Sequence, residues 1–239
     1  MTSKAIFFTV YNRPDYLKET LSQWKNVRDL SDYDMYFRID PSDATEQVIE
    51  EISQFSNSTN LNVKTILNLE KQGCAHNTWN GFNTLFDSYE FLILAEDDII
   101  PSTDLGNYFT FLERKYRDDN EIAVISANYE FPEYSRDSVS RLSVFRGQIW
   151  GTWKDRWNNY IKDTWDFDYS SGVNGGPSGW DWNLTLRVLP ENNLKTIVPH
   201  ASRSQHIGVN GLHCDEYIFE DTQMKSFKLH REWKDMVEV

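Results

Sequence analysis

Short apolar runs alternate with amphipathic segments along the first half of the chain. The runs are too short for helices and rich in branched and aromatic residues, so each predicts a buried strand. The segments between them repeat apolar residues at helical spacing, which predicts helices. The predicted strands are Ala5–Val10, Met35–Ile39, Val63–Leu67, Phe91–Ala95 and Ile122–Ser126. The predicted helices are one that begins after the Asp15 cap and three more over residues 46–55, 77–89 and 105–116.

This alternation is typical of an α/β fold with a mostly parallel mixed sheet flanked by helices. Beyond residue 128 the alternation ends, and residues 130–179 are rich in Trp, Tyr, Ser, Asn and Gly, with a strand-like piece over 142–145 and a helical piece over 154–162. Long irregular stretches are typical of binding loops and lids. Since 239 residues suffice for one large domain, we predict a single domain over 1–239, with long C-terminal loops above one end of the sheet.

The strand at Phe91–Ala95 ends in three consecutive carboxylates, Glu96-Asp97-Asp98. Adjacent carboxylates repel one another and resist leaving water, so a buried strand tolerates them only beside solvent, basic side chains or a cation. Mg²⁺ and Mn²⁺ prefer such oxygen ligands and keep positions open for substrate phosphates. An acidic surface turn is the simpler interpretation. Ligand sites in α/β sheets, however, lie beyond the carboxyl ends of strands, where this triplet falls, so the pattern favours a metal site.

The composition limits the class of partner and the compartment. The formal net charge is -13, which disfavours a surface built to bind nucleic acid or an anionic membrane, although local basic patches remain open. Cys74 and Cys214 are too far apart in sequence to indicate a disulfide framework or a zinc pair, so we expect free thiols in a reducing cytoplasm. The N-terminal residues enter a strand at once, so we expect neither a signal peptide nor a membrane anchor.

Several features favour a nucleotide or carbohydrate ligand. Aromatic residues make up 15% of the chain, more than the core needs, and aromatic rings suit sugars and bases. No glycine motif of the dinucleotide-binding or P-loop type follows the first strand. Instead Arg13 follows strand one and Asp40 follows strand two. Arg13 could meet phosphate oxygens, and Asp40 could accept a hydrogen bond from a base or ribose. Either residue alone is more simply a turn residue.

Two later segments could also carry chemistry. Gly179-Trp180-Asp181-Trp182 places one carboxylate between two indoles, an environment that favours a general base, and a helix cap is an equally good interpretation of Asp181. The segment over 205–213 carries His206 and His213 beside two glycines. Their spacing is not that of a zinc motif, and a lone histidine is usually structural, but either could complete the metal site or contact phosphate.

Four of these features, in this order, resemble the GT-A glycosyltransferases, and most nearly the inverting N-acetylglucosaminyltransferase I-like group. They are Asn12-Arg13-Pro14, Asp40, the acidic triplet in place of the Asp-x-Asp signature, and Trp180-Asp181-Trp182. The resemblance spans most of the chain and rests on the order of the motifs, since none is specific alone. The membrane anchor and stem of the Golgi enzymes are not expected here, so we expect a bacterial or phage relative, and the acceptor of that group is not carried over.

The resemblance implies inverting transfer of a sugar from a nucleotide-sugar, most simply a UDP-sugar, with Mn²⁺ or Mg²⁺ as cofactor. Residues 1–127 would bind the nucleotide-sugar, and residues 128–239 would bind the acceptor and close over the donor. Asp98 would bind the metal with His206 or His213, and Asp181 would deprotonate the acceptor hydroxyl. The expected nucleotide-sugar contacts, with Asp40 at uracil and Arg13 at the diphosphate, are Thr9, Tyr11, Asn12, Arg13, Asp40, Lys71, Asn77, Glu96 and Asp97. The expected acceptor contacts are Trp150, Trp153, Trp180 and Trp182.

The acceptor and two rival classes stay open. The acceptor is a glycan, another hydroxyl-bearing molecule or, against the charge of the chain, hydroxymethylated bases of phage DNA. A metal-dependent nucleotidyltransferase would also need acid at a strand tip, but it would release pyrophosphate from a nucleoside triphosphate. A non-catalytic sugar- or nucleotide-binding module would use the aromatic loops without needing Asp181.

Overall fold

The computed structural model describes residues 3–129, 131, 137–168, 178–209, 216–221 and 223–239. The strands in these ranges are β1 Lys4–Val10, β2 Tyr33–Ile39, β3 Asn62–Leu67, β4 Phe91–Glu96, β5 Ile99–Pro101, β6 Ile122–Ser126, β7 Ser138–Leu142, β8 Trp150–Trp153, β9 Lys195–Pro199, β10 Ser204–His206 and β11 Val237–Glu238. The helices are α1 Pro14–Trp24, α2 Thr45–Asn57, α3 Gly73–Leu85, α4 Leu105–Tyr116, α5 Lys154–Arg156, α6 Trp180–Asn183, α7 Leu189–Glu191 and α8 Glu216–Asp221. Two π-helices, Trp157–Ile161 and Leu184–Val188, follow α5 and α6, and a 3₁₀ turn covers Lys162–Thr164. None of the described helices is both long enough and apolar enough to cross a membrane.

Nine strands form one mixed sheet in the order β11-β7-β9-β6-β8-β4-β1-β2-β3, and β5 pairs with β10 in a separate two-stranded sheet. Strand β1 is parallel to both β2 and β4, and β2 is parallel to β3. Strand β8 lies antiparallel between β4 and β6, and β7 is antiparallel to β9. The predicted mostly parallel mixed sheet is confirmed, and the carboxyl ends of β1 to β4 meet at one edge.

Helical segments cover both faces of the sheet, which explains the continuous apolar runs of β1, β4 and β6. Helices α1, α2 and α4 cover one face, where Trp24 and Phe55 join a buried cluster with Phe8. Helix α3 and the helical segments after β8 cover the other face, where Phe82 and Trp157 stack at 4.6 Å between ring centroids. The sheet is therefore rigid at its centre, and the strand tips are held in fixed relative positions.

Strand β8 is the main element that the apolar pattern missed. Its four residues are too few to give a clear period, and Trp150 and Trp153, three positions apart, lie on opposite faces of the sheet. Trp150 packs against Phe82 and Trp153 against Phe91. Smaller differences concern boundaries: β7 ends at Leu142, where the strand-like piece was predicted to begin, and α3 covers Gly73–Leu85 rather than 77–89.

Candidate functional site

The carboxyl edge of the sheet brings Arg13 onto the acidic triplet. Arg13 follows β1, and its Nη2 lies 2.6 Å from Asp97 Oδ1 while its Nη1 lies 2.7 Å from Asp98 Oδ2. The side chains of both aspartates are 4% exposed, whereas that of Arg13 is 32% exposed. The tips of β1 and β4 therefore meet at this edge, and a guanidinium neutralises part of the acid.

Strand β10 brings His206 to the same aspartate. It pairs antiparallel with β5, with His206 opposite Ile99, and His206 Nε2 lies 3.2 Å from Asp98 Oδ2. Two residues later the backbone passes so close that a Cβ at Gly208 would stand 2.2 Å from the same oxygen. Any other residue at position 208 would force this segment or the carboxylate to move. His213, the other candidate ligand, lies outside the described residues.

Tyr16 fixes the segment beyond Gly208. The Val209 N–H donates to the Tyr16 hydroxyl at 3.1 Å, and that hydroxyl donates to the Val209 carbonyl at 3.0 Å. Tyr16 was not among the residues that the sequence predicted for the site. Its position three residues after Arg13, at the start of the helix that leaves the site, is the signal that was available.

Burial and mutual repulsion govern the charge of the triplet. Burial, followed by the charges of Asp98 and Asp97, raises the pKa of Glu96 well above its ordinary value. Burial also raises the pKa of Asp97 to about 6, against the opposing charge of Arg13. Burial acts on Asp98 in the same direction, but the hydrogen bond with His206 and the charge of Arg13 hold the pKa of Asp98 below its ordinary value. Of the three carboxylates, Asp98 is therefore the one whose negative charge is best stabilised by its surroundings.

Asp181 lies near this acidic edge. The charge of Asp181 contributes to the raised pKa of Glu96, after burial and the charges of Asp98 and Asp97. Helix α6 begins at Trp180, and the N-cap position belongs to Gly179, whose φ of 99° suits glycine. The helix-cap interpretation of Asp181 is therefore wrong, because Asp181 lies inside the first turn. Its side chain is partly exposed and can meet a ligand.

Three of the four indoles expected at the acceptor are core residues. Trp150, Trp153 and Trp180 are 0%, 3% and 4% exposed. Trp180 stacks on Trp165 at 4.8 Å between ring centroids, with an interplanar angle of 5°. The expected acceptor contact does not fit these three, since buried rings offer no surface. Trp182, which is 45% exposed, can meet an acceptor.

Asp40 is buried at the N-terminus of α3. Its carboxylate accepts hydrogen bonds from Asn68 Nδ2 at 2.7 Å, from the Gly73 N–H at 2.7 Å and from the Gln72 N–H at 3.2 Å. A carboxylate at this position satisfies free helical N–H groups and complements the helix dipole. The structure therefore gives Asp40 a clear role within the protein, and the uracil contact stays a prediction.

Asn77 belongs to the same buried network. Arg38 Nε donates to Asn77 Oδ1 at 3.1 Å, and Asn77 Nδ2 donates back to the Arg38 carbonyl at 3.2 Å. Asn77 is 2% exposed and Arg38 is 4% exposed, so the expected donor contact does not fit Asn77. Burial lowers the pKa of Arg38, while Asp40 opposes that shift. Sequence reasoning missed Arg38, although a charge inside an apolar strand is itself a signal of a buried partner.

The remaining expected nucleotide-sugar contacts lie on the accessible side of the edge. Lys71 Nζ lies 2.9 Å from the Tyr11 hydroxyl and 4.2 Å from the centre of that ring. Thr9 is partly exposed, and its partners in the sheet are Arg38 and Glu96. Asn12 is exposed. These side chains can reach a ligand, and their roles stay predictions.

A divalent cation fits the chemistry beside Asp98. Asp98 Oδ1 is buried and has no hydrogen-bond partner among the described residues, and His206 supplies a nitrogen on the other side of the carboxylate. The described residues contain no group of three or more acidic, His or Cys side chains arranged to hold a metal. Mg²⁺ and Mn²⁺ are commonly held by one or two protein ligands, with water and phosphate oxygens completing the shell. Asp98 and His206 are the candidate ligands.

Three solved structures show the same fold. A mannosyltransferase from Pyrobaculum calidifontis, in complex with GDP-Man and Mn²⁺, is 14% identical, with a TM-score of 0.55 over 83% of this chain and 55% of that one. S. aureus TarS residues 1–349, in complex with UDP-GlcNAc, is 13% identical, with a TM-score of 0.59 over 88% and 60%. GalNAc-T7 with UDP, GalNAc and Mn²⁺ is 10% identical, with a TM-score of 0.60 over 90% and 45%. The chain spans about half of the length of these proteins. Likeness at such low identity shows the fold alone, and the predicted GT-A fold is confirmed.

The sequence itself carries the family. A profile described as glycosyl transferase family 2 matches residues 5–172, which include Arg13, Asp40 and the whole acidic triplet. The narrower resemblance to the N-acetylglucosaminyltransferase I-like group stays a prediction, as does a bacterial or phage origin. Because the matched segment covers well over half of its residues, the chain belongs to glycosyl transferase family 2.

Proposed function

We propose that the chain transfers a sugar from a nucleoside-diphosphate sugar, most simply a UDP-sugar, to an acceptor hydroxyl with inversion at the anomeric carbon. The observation that carries this proposal is the guanidinium of Arg13 between the buried carboxylates of Asp97 and Asp98, with His206 on the second carboxylate. Supporting it, the three similar structures contain UDP-GlcNAc, GDP-Man with Mn²⁺, and UDP with GalNAc and Mn²⁺.

The donor diphosphate would bind at the acidic edge. Asp98 and His206 would hold Mn²⁺ or Mg²⁺, and the bound ion would supply positive charge for the departing diphosphate. Arg13 is partly exposed and carries a planar fork of donors that suits phosphate oxygens. Its role in the reaction is to stabilise the negative charge that develops as the bond from the anomeric carbon to the phosphate oxygen breaks.

Asp181 would act as the general base. It removes the proton from the acceptor hydroxyl while that oxygen bonds to the anomeric carbon from the face opposite the leaving diphosphate. Since no side chain of the enzyme forms a bond to the sugar, a single displacement inverts the configuration. The exposed Trp182 beside Asp181 offers a ring on which an acceptor sugar can stack. We favour a glycan or another small hydroxyl-bearing acceptor over DNA, because the chain carries a net charge of -13.

Calorimetric titration of the protein with UDP, with and without Mn²⁺, tests this function. The proposal predicts that UDP binds only when the metal is present. In a separate assay, the correct UDP-sugar should release UDP when its sugar is transferred to water or to an acceptor. No binding of any nucleoside diphosphate under either condition would contradict it. Release of pyrophosphate from a nucleoside triphosphate would instead identify a nucleotidyltransferase, and binding without turnover of any nucleotide-sugar would identify a binding module.

A further inference from the structure

Arg13 contacts the carboxylate that would hold a metal ion at this site. Asp98 Oδ2 accepts from Arg13 Nη1 at 2.7 Å and lies 3.2 Å from His206 Nε2. A cation bound between this carboxylate and the imidazole nitrogen would take the lone pairs that these contacts use. The guanidinium and the cation would also be like charges a few ångströms apart, which repel strongly where solvent is largely excluded.

The same contacts explain how the ligand-free protein tolerates its acidic edge. Two buried carboxylates next to each other in sequence repel, and removing a positive charge that pairs with both is costly. Arg13 meets both, with Nη2 on Asp97 and Nη1 on Asp98. One guanidinium therefore performs, without any ligand, the neutralisation that a divalent cation would otherwise supply.

The side chain of Arg13 is also placed so that its guanidinium can move away from the two aspartates. It occupies the N-cap position of α1, yet its side chain makes no capping hydrogen bond, and about a third of it is exposed. Beyond the two aspartates, its guanidinium lies 5.8 Å from the centre of the Tyr16 ring. Rotation of the side chain alone would carry the guanidinium away from the carboxylates, while Pro14 keeps the backbone fixed.

We propose that Arg13 holds the place of the divalent cation in the ligand-free enzyme and exchanges the two aspartates for the donor diphosphate when the metal binds. The inference rests on the proposed function and adds to it a coupling between metal binding and nucleotide binding. Metal alone binds weakly because it must displace an internal cation that pairs with both aspartates. The diphosphate gives Arg13 another anionic partner, so metal and nucleotide each strengthen the binding of the other, and the coupling is reciprocal.

Calorimetric titration with Mn²⁺ in the absence of nucleotide tests the proposal on the wild-type protein and on Arg13→Gln. Glutamine keeps hydrogen-bonding capacity but removes the charge, so Arg13→Gln should bind Mn²⁺ more tightly than the wild type by on the order of tenfold. Repeating the titration with saturating UDP should show strong coupling for the wild type and much weaker coupling for the variant. Lys18→Gln, which removes an exposed charge from α1 that pairs with Glu51 at 3.3 Å, is the matched control and should match the wild type.

Arg13→Lys is a second variant that keeps the test decisive if Arg13→Gln fails to fold. An ammonium group is a point charge and cannot bridge two carboxylates as the guanidinium does, so its nucleotide-free affinity for Mn²⁺ should lie between those of the wild type and Arg13→Gln. If neither variant binds Mn²⁺ more tightly than the wild type, while the wild type binds UDP with Mn²⁺, this inference fails and the proposed function stands. If the wild type binds neither Mn²⁺ nor a nucleoside diphosphate, both fail.

Discussion

Asp181 is the residue on which the proposed chemistry most depends. We expect Asp181→Asn to lower kcat by roughly 10²–10⁴-fold, the usual contribution of a general base. Asparagine has the same shape but cannot accept the proton of the acceptor hydroxyl. Since Asp181 is not a candidate metal ligand, the affinity for UDP with Mn²⁺ should be unchanged. Steady-state kinetics with the identified donor and calorimetry with UDP measure the two quantities separately.

A nearby exposed residue provides the control for that measurement. Asp163→Asn removes a carboxylate from the 3₁₀ turn Lys162–Thr164, away from the acidic triplet, and should leave turnover and UDP binding unchanged. Near-normal turnover of Asp181→Asn would mean that another group accepts the proton. A parallel loss of UDP affinity would mean that Asp181 acts on the donor rather than on the acceptor.

A substitution at Gly208 tests how closely the segment after β10 must approach Asp98. An added methyl group would stand 2.2 Å from Asp98 Oδ2, so the segment or the carboxylate must shift. Such overpacking typically costs about 1–3 kcal/mol, and 1.4 kcal/mol corresponds to a tenfold change in affinity. We therefore expect Gly208→Ala to weaken Mn²⁺-dependent binding of UDP by about tenfold or more. Unchanged binding in calorimetry, with the fold intact by circular dichroism, would show that this close approach plays no part in donor binding.

Individual residues were predictable from sequence where chemistry alone marks them. Three adjacent carboxylates directly after an apolar strand mark a candidate site, and the contact of Asp97 and Asp98 with Arg13 follows from the parallel order of β1 and β4. Three of the four indoles were wrongly expected at the acceptor because tryptophan is common both in apolar cores and at sugar-binding sites. Only tertiary packing distinguishes Trp150, which is fully buried, from Trp182, which is nearly half exposed.

At the scale of elements, Asp40 joins the tip of β2 to the start of α3. Asp40→Asn would leave at least one of its three donors, the side chain of Asn68 and the N–H groups of Gly73 and Gln72, facing an amide NH₂. A buried donor without an acceptor costs about 1–3 kcal/mol. We expect the free energy of unfolding to fall by that amount in urea denaturation, with the m-value unchanged.

The same variant also separates the two roles considered for Asp40. Asp43→Asn, an exposed carboxylate three residues later, is the matched control and should leave the free energy of unfolding within about 0.5 kcal/mol of the wild type. If Asp40→Asn retains full stability but loses affinity for UDP, the carboxylate serves the nucleobase. If stability falls as expected, weaker UDP binding alone does not establish a base contact.

Strands that are marked by their own apolar residues were predictable from the sequence, whereas strands that depend on distant pairing partners were not. Strands β1, β4 and β6 are buried on both faces, so continuous apolar runs mark them. Strands β8 and β10 have four and three residues, and their existence depends on partners far away in the chain: β8 on β4, and β10 on β5. No local pattern encodes such pairing, which is why the sequence left His206 and His213 as alternatives beside Asp98 and the contact of His206 with Asp98 is seen in the folded chain.

At the scale of the whole molecule, the site joins parts of the chain that are more than a hundred residues apart. The contact between Asp98 and His206 spans 108 positions, and that between Tyr16 and Val209 spans 193. Each connects a tip or helix of the parallel part of the sheet with the β10 segment. Ligand binding at this edge therefore acts on the stability of the entire fold, and thermal denaturation can report it.

That link predicts the effect of removing metal. Because Arg13 neutralises the acidic edge in the absence of ligand, EDTA alone should leave the Tm of the ligand-free protein unchanged. UDP at 100 times its Kd, with Mn²⁺, should stabilise the fold by about 2.7 kcal/mol, or roughly 5–10 °C in Tm for a chain of this size. EDTA should abolish that increase if donor binding requires the cation, as proposed. An equal rise in Tm with UDP in EDTA would show that the acidic edge binds the nucleotide without metal, and a large loss of Tm on adding EDTA to the protein alone would show that a metal, rather than Arg13, holds the carboxylates together.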